Sequence, residues 1–182
     1  MLHADVVGYS RLMAEDEDGT VRTLTAYRAQ IDTLILEHRG RLVDFSGDNF
    51  LAEFPTALDA FRCAVETQRV LAARNAGLPA ESRMEFRMGV HLGDVRVEGE
   101  RIYGEGVNIA ARIETLSEPG GICVSAAVRE QIESRLSLEL SRTWESSRSR
   151  TFRTRCTSTG LAREISKAEC RFPGLDGRVC GC

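Results

Sequence analysis

Residues 41–54 read RLVDFSGDNFLAEF. The runs Arg41 to Phe45 and Phe50 to Phe54 are strand-like, and Gly47-Asp48-Asn49 between them has the composition of a hairpin turn, with Asp48 at or beside its tip. Upstream, Val21, Leu24, Ile31, Leu34 and Ile35 recur at helical spacing between Gly19 and Glu37, and Gly40 follows the end of that helix. Earlier still, Met1 to Val7 reads as a short apolar strand, clipped at its start, that runs into the turn Gly8-Tyr9-Ser10. Downstream, Leu58, Phe61, Val65 and Leu71 form a second helical stripe closed by Ala76-Gly77-Leu78-Pro79. Met84 to Val97 alternates as a long strand or bent strand pair, Val107 to Leu116 is helical, and Ile122-Cys123-Val124 is a short strand. Ser125 is placed to cap a last helix through Ile132. This order predicts an α+β sheet with helices packed mainly on one face.

The 182 residues suit one compact domain, which would bury roughly 70% of the surface of its unfolded chain. With 24 Lys and Arg against 27 Asp and Glu, the net charge of −3 gives no broad attraction to nucleic acid or anionic membrane. Any phosphate chemistry must come from a local site. No apolar run approaches the ~20 residues of a membrane span, and the opening Met1-Leu2-His3-Ala4-Asp5 lacks signal-peptide character, so a cytoplasmic location is expected. His3, His38 and His91 are too scattered to suggest a metal cluster. Glu15-Asp16-Glu17-Asp18 reads as a solvated acidic loop that favours the N-terminus of the following helix.

Asp5 ends one strand and Asp48 tips a hairpin. If the two strands are neighbours, both carboxylates meet at one sheet edge. Their mutual repulsion is best relieved by hard divalent cations, Mg²⁺ or Mn²⁺. Backbone amides from Val7 through Ser10, namely Val7, Gly8, Tyr9 and Ser10, could face a phosphate. Taken singly, Asp48 is better explained as turn chemistry and Asp5 as the end of a strand.

Three ordered segments change that balance: Ala4-Asp5-Val6-Val7-Gly8-Tyr9-Ser10-Arg11-Leu12-Met13, Ser46 to Phe54, and Ile102-Tyr103-Gly104-Glu105-Gly106-Val107-Asn108-Ile109-Ala110-Ala111-Arg112. Together they resemble the motifs of bacterial class III adenylate and guanylate cyclases, over about residues 2–140. The resemblance implies a ferredoxin-like, polymerase-palm type domain, antiparallel-rich, that works as a head-to-tail homodimer on a nucleoside triphosphate, ATP or GTP. It implies two metal ions on Asp5, Asp48 and the Val6 carbonyl, with Asn108 orienting the ribose and Arg112 clamping phosphate charge across the dimer seam. A helix brings Asn108 and Arg112, four residues apart, to one side, and a guanidinium suits phosphate oxygens. The competing expectation is a catalytically silent cyclase-like module that dimerises or binds nucleotide to regulate a partner.

Two positions depart from the family. Where adenylate cyclases usually carry a lysine and an Asp or Thr to read the base, this chain has Asp44 and Arg101. A carboxylate can accept from guanine N1–H and its exocyclic amine, so Asp44 leans toward guanine; a structural salt bridge between Asp44 and Arg101 of two chains is the alternative. Beyond residue 140 the hydrophobic periodicity is lost in a Ser/Arg/Thr-rich run. One permitted set of codons for Ser149 to Gly160, read one base earlier, gives LKNIPHPVHVYR, close to the family's closing strands. A frameshift near Leu136 to Ser141 is therefore expected. That leaves residues 1–140 as the catalytic domain and 141–182 as an out-of-frame, poorly ordered tail, and Cys156, Cys170, Cys180 and Cys182 then need no metal or disulfide role.

Overall fold

The computed structural model describes residues 1–94, 96–98 and 101–143 and three short strands beyond, with side chains described for 1–94, 104–133 and 135. The elements run β1 (Leu2–Val6), α1 (Tyr9–Glu15), α2 (Glu17–Glu37), β2 (Arg41–Ser46), β3 (Asn49–Glu53), α3 (Ala57–Asn75) and β4 (Phe86–Val90). They continue with β5 (Arg96–Glu98), β6 (Arg101–Tyr103), α4 (Glu105–Thr115), β7 (Ile122–Val124) and α5 (Ala126–Thr143), then β8 (Arg155–Cys156), β9 (Ala168–Cys170) and β10 (Val179–Gly181). The main sheet has the order β2-β3-β1-β4-β7-β10-β9-β8, while β5 and β6 form a separate ribbon. The architecture is α+β, as the sequence pattern requires.

Strand β1 is central, antiparallel to both β3 and β4. Its alternation sorts the chemistry: Leu2, Ala4 and Val6 are buried, while His3 and Asp5 point to the opposite face and are half-buried. The first face continues through Phe50, Phe86, Met88 and Val90 into one core with Leu24, Tyr27, Ile31 and Ile35 of α2 and Phe61 and Leu71 of α3. Gln68 of α3 holds that helix to the sheet by donating to the carbonyls of Phe86 and Gly121, both at 2.9 Å. Burying its amide costs little because both donors are satisfied.

Helix α4 is the exception to the expectation of helices mainly on one face: it packs on the Asp5 side. A Cβ at Gly89 would lie 2.5 Å from both the Ala110 carbonyl oxygen and the Glu114 amide nitrogen, so only a glycine on β4 lets α4 sit this close. Ala110, Ile113 and Glu114 are the side chains α4 turns inward.

The structure corrects several local expectations. Tyr9–Glu15 is a helix, not part of a loop; with Leu12 as its sole buried residue it carries too little apolar pattern to announce itself. The acidic run divides around Asp16, whose side chain caps α2 by accepting from the Gly19 amide at 2.9 Å. The bent strand after Met84 resolves into β4 and the β5–β6 ribbon. Ser125 does not cap α5 with its hydroxyl, which is buried without a hydrogen-bond partner. The predicted tail falls largely outside the described residues; β10 pairs with β7 in parallel. Among the described residues, no helix is long and apolar enough to cross a membrane.

Candidate active site

The β1–β3 register pairs Ala4 with Phe50, so the C-terminal end of β1 runs beside the turn that opens β3. Asp5 and the Gly47-Asp48 turn thus lie at the same sheet edge. The turn is shaped by Gly47, whose φ of 61° is left-handed. It is anchored from α2 by Arg28, whose guanidinium stacks 4.0 Å from the Phe45 ring centroid and donates to the Gly47 carbonyl. Arg28 was missed in the sequence, where it looks like one more polar residue on a helix. Asp48 is partly exposed and has no ion-pair partner among the described residues.

Asp5 is in a different situation. It sits opposite Arg87 in the β1–β4 ladder. Arg87 donates through Nε to Asp5 Oδ1 at 3.0 Å and through Nη2 to Oδ2 at 2.5 Å, a bidentate pair. Glu114 of α4 closes the group, with Oε1 3.2 Å from Arg87 Nε and Oε2 3.5 Å from His3 Nδ1. Burial pushes the Asp5 carboxyl up, but the hydrogen bonds donated by Arg87, the adjacent Glu114 and the charges of Arg87 and His3 outweigh it and leave it below its ordinary range. Glu114 moves the other way: desolvation dominates, and the neighbouring Asp5 adds to it against His3 and Arg87. Arg87 is held more firmly protonated, chiefly by its bond to Asp5.

The amides expected to face phosphate divide. The Val7 amide donates to the Glu85 carbonyl at 2.8 Å and is unavailable, which corrects its assignment. The open amides begin at Gly8, whose φ of 66° makes the bend into α1, and continue through Tyr9 and Ser10, where α1 starts without a side-chain cap. Asn108 and Arg112 are both exposed, on the side of α4 away from its buried residues Ala110, Ile113 and Glu114. One chain therefore does not bring them to Asp5.

The model of the "Adenylate and Guanylate cyclase catalytic domain" matches residues 1–149. The chain belongs to that family. Over 140 residues it is 41% identical to a Rhizobium meliloti (strain 1021) protein provisionally named adenylate cyclase 3, a match covering 76% of this chain and 24% of that protein. A solved adenylate/guanylate cyclase/hydrolase from Silicibacter pomeroyi is 36% identical with a TM-score of 0.72, covering 91% of each chain. The adenylyl cyclase CyaB of P. aeruginosa, at 19% identity and a TM-score of 0.68 over 96% of this chain and 94% of that one, shares the fold. The chain spans about a quarter of the Rhizobium protein.

Within this cyclase domain the base-reading candidates lie apart from Asp5. Asp44 is exposed on β2, just past an irregularity in the β2–β3 register between Leu42 and Asp44. A bulge of this kind re-aims the side chains that follow it. Arg101 opens β6, and its side chain lies outside the described residues. Strand β6 approaches β2 of the same chain, so the two strands meet without a partner. Among the described residues, no group of three or more His, Cys, Asp and Glu side chains is arranged to hold a metal ion. Two carboxylates at one edge remain a suitable donor set for Mg²⁺ or Mn²⁺, since such ions commonly take one or two protein carboxylates and complete their shell with water and substrate phosphates.

Proposed function

We propose that this cyclase domain forms a 3′,5′-cyclic nucleotide and pyrophosphate from ATP or GTP in the cytoplasm, at a site completed by a second copy of the chain. The observation that carries the reading is the antiparallel pairing of β1 with β3, which supports a joint role for Asp5 and Asp48. Those two carboxylates and the Val6 carbonyl would hold two divalent ions. When bound, such ions lower the pKa of the ribose 3′-hydroxyl and neutralise the phosphates and the departing pyrophosphate. The amides of Gly8, Tyr9 and Ser10 face the triphosphate. Asn108 orients the ribose and Arg112 stabilises charge on the reacting phosphate, both from the partner copy; their outward position on α4 supports this trans arrangement. Asp44 accepts from guanine N1–H and its amine, which favours GTP over ATP.

The full chain, assayed with Mn²⁺ and either nucleotide, is expected to release cyclic nucleotide and pyrophosphate in equal amounts. Neither Asp5→Asn nor Arg112→Ala chains should turn over alone, whereas a mixture of the two should recover activity by assembling one intact site. No product with either nucleotide would end the proposal, and a mixture as inactive as its components would end the trans assignment. The second reading, a silent nucleotide-binding module, draws support from the Asp5–Arg87 pair, which occupies the very carboxylate that a metal needs. Mn²⁺-dependent nucleotide binding without turnover would favour it.

A further inference from the structure

A metal arriving at Asp5 meets a carboxylate with both oxygens already engaged by Arg87. The displaced guanidinium, 27% exposed, would then need another anion, because a partly buried cation without a partner is costly. The structure holds one ready. Glu114 is 4% exposed, and its Oε1 is buried without a hydrogen-bond partner while lying 3.2 Å from Arg87 Nε. Nε is the same atom that serves Asp5 Oδ1, so one donor already lies within reach of both acceptors. Glu114 cannot follow Asp5 instead: its main chain is wedged against Gly89, and its other oxygen is 3.5 Å from His3 Nδ1.

We propose that Glu114 is a positioning residue, the fixed acceptor to which Arg87 passes when Asp5 takes up a divalent ion. The inference rests on the metal role proposed for Asp5. In the metal-free chain Arg87 neutralises Asp5; in the loaded chain it neutralises Glu114 and stays at the site. Arg87 is thus a competitor of the metal and Glu114 the group that relieves the competition. Their removal has opposite consequences for metal affinity.

Mn²⁺ alone, titrated into the full chain without nucleotide and followed by the electron paramagnetic resonance of the free ion, reads this directly. Glu114→Gln should weaken binding about tenfold, and Arg87→Gln should tighten it several-fold. A simple attraction between Glu114 and the dication would also weaken binding in Glu114→Gln, but it would do so by the same factor whether or not Arg87 is present. Passage of Arg87 predicts instead that Arg87→Gln/Glu114→Gln binds as Arg87→Gln does. An equal loss in both backgrounds, or a folded Glu114→Gln chain that binds like the wild type, overturns the proposal. Should Glu114→Gln not fold, Arg87→Gln decides alone: unchanged or weaker Mn²⁺ binding is incompatible with Arg87 as competitor. If Asp5→Asn binds Mn²⁺ as the wild type does, the metal role of Asp5 fails and this inference with it. If Asp5→Asn abolishes binding while Glu114→Gln does not alter it, the inference alone fails.

Discussion

The two aspartates at the sheet edge are equals in the motif and opposites in the fold. Asp48 rides on a partly exposed turn with no ion-pair partner among the described residues, whereas Asp5 is clamped by Arg87 and crowded by a buried Glu114. A turn carboxylate can serve a ligand without serving the fold. A carboxylate built into a cross-strand ion group does both, and its replacement changes what surrounds it.

The contrast is broken most directly at Asp48. Asp48→Asn should cut cyclase turnover by about 1000-fold, equivalent to roughly 4 kcal/mol in the barrier, yet leave the thermal midpoint unchanged. A fall in midpoint alongside the activity would show that the turn carries fold stability and would erase the distinction. Next in size is Gly89→Ala. With no room for a methyl group against the α4 backbone, it should cost about 3 kcal/mol in denaturant unfolding and move Asn108 and Arg112 with the helix. An unaltered midpoint would mean that α4 is not seated by this contact. Asp5→Asn should cost about 2 kcal/mol, since a charge-assisted bidentate pair is lost while Glu114 remains to receive Arg87.

Proton linkage sharpens the same comparison. Asp5 titrates below its ordinary 3.8 in the folded chain, so its contribution is present above that value and is lost as pH falls through the lowered one. Glu114 titrates above its ordinary 4.5, so the folded chain keeps a proton that the unfolded chain releases, and stability declines as pH rises from 4.5 toward the raised value. Urea midpoints measured across pH should therefore lose the decline above 4.5 in Glu114→Gln and keep the acid-side loss; a decline of the same size in that variant would remove Glu114 as its source. The smallest effect is at the N-terminus of α2, where Asp16→Ala should cost about 1 kcal/mol through the lost cap, without altering turnover. A change in turnover there would tie the α1–α2 junction to the site.

Much of this was legible in the residues. Period and turn chemistry act over a few positions, so β1, the hairpin, α2, α3, α4 and β7 could be read where they occur, and the Gly47-Asp48 turn with them. Helix α1 escaped because one buried leucine makes no periodic stripe, and Val7 was assigned a free amide because nothing local reveals that Glu85 would accept from it.

The sequence by itself determined most of the elements, the family motifs and the placing of one aspartate at a strand end and another at a turn, because these depend on neighbours within a few residues. Tertiary structure alone decided that Arg87 meets Asp5, that Glu114 stands behind both, and that Asn108 and Arg112 turn away from them. Arg87 reads as an ordinary polar position in an alternating strand until strand register sets it opposite Asp5. Register and helix orientation are settled by burying Leu2, Ala4, Phe86 and Met88 on one face of the sheet and seating α4 over Gly89 on the other, contacts between segments far apart in the chain.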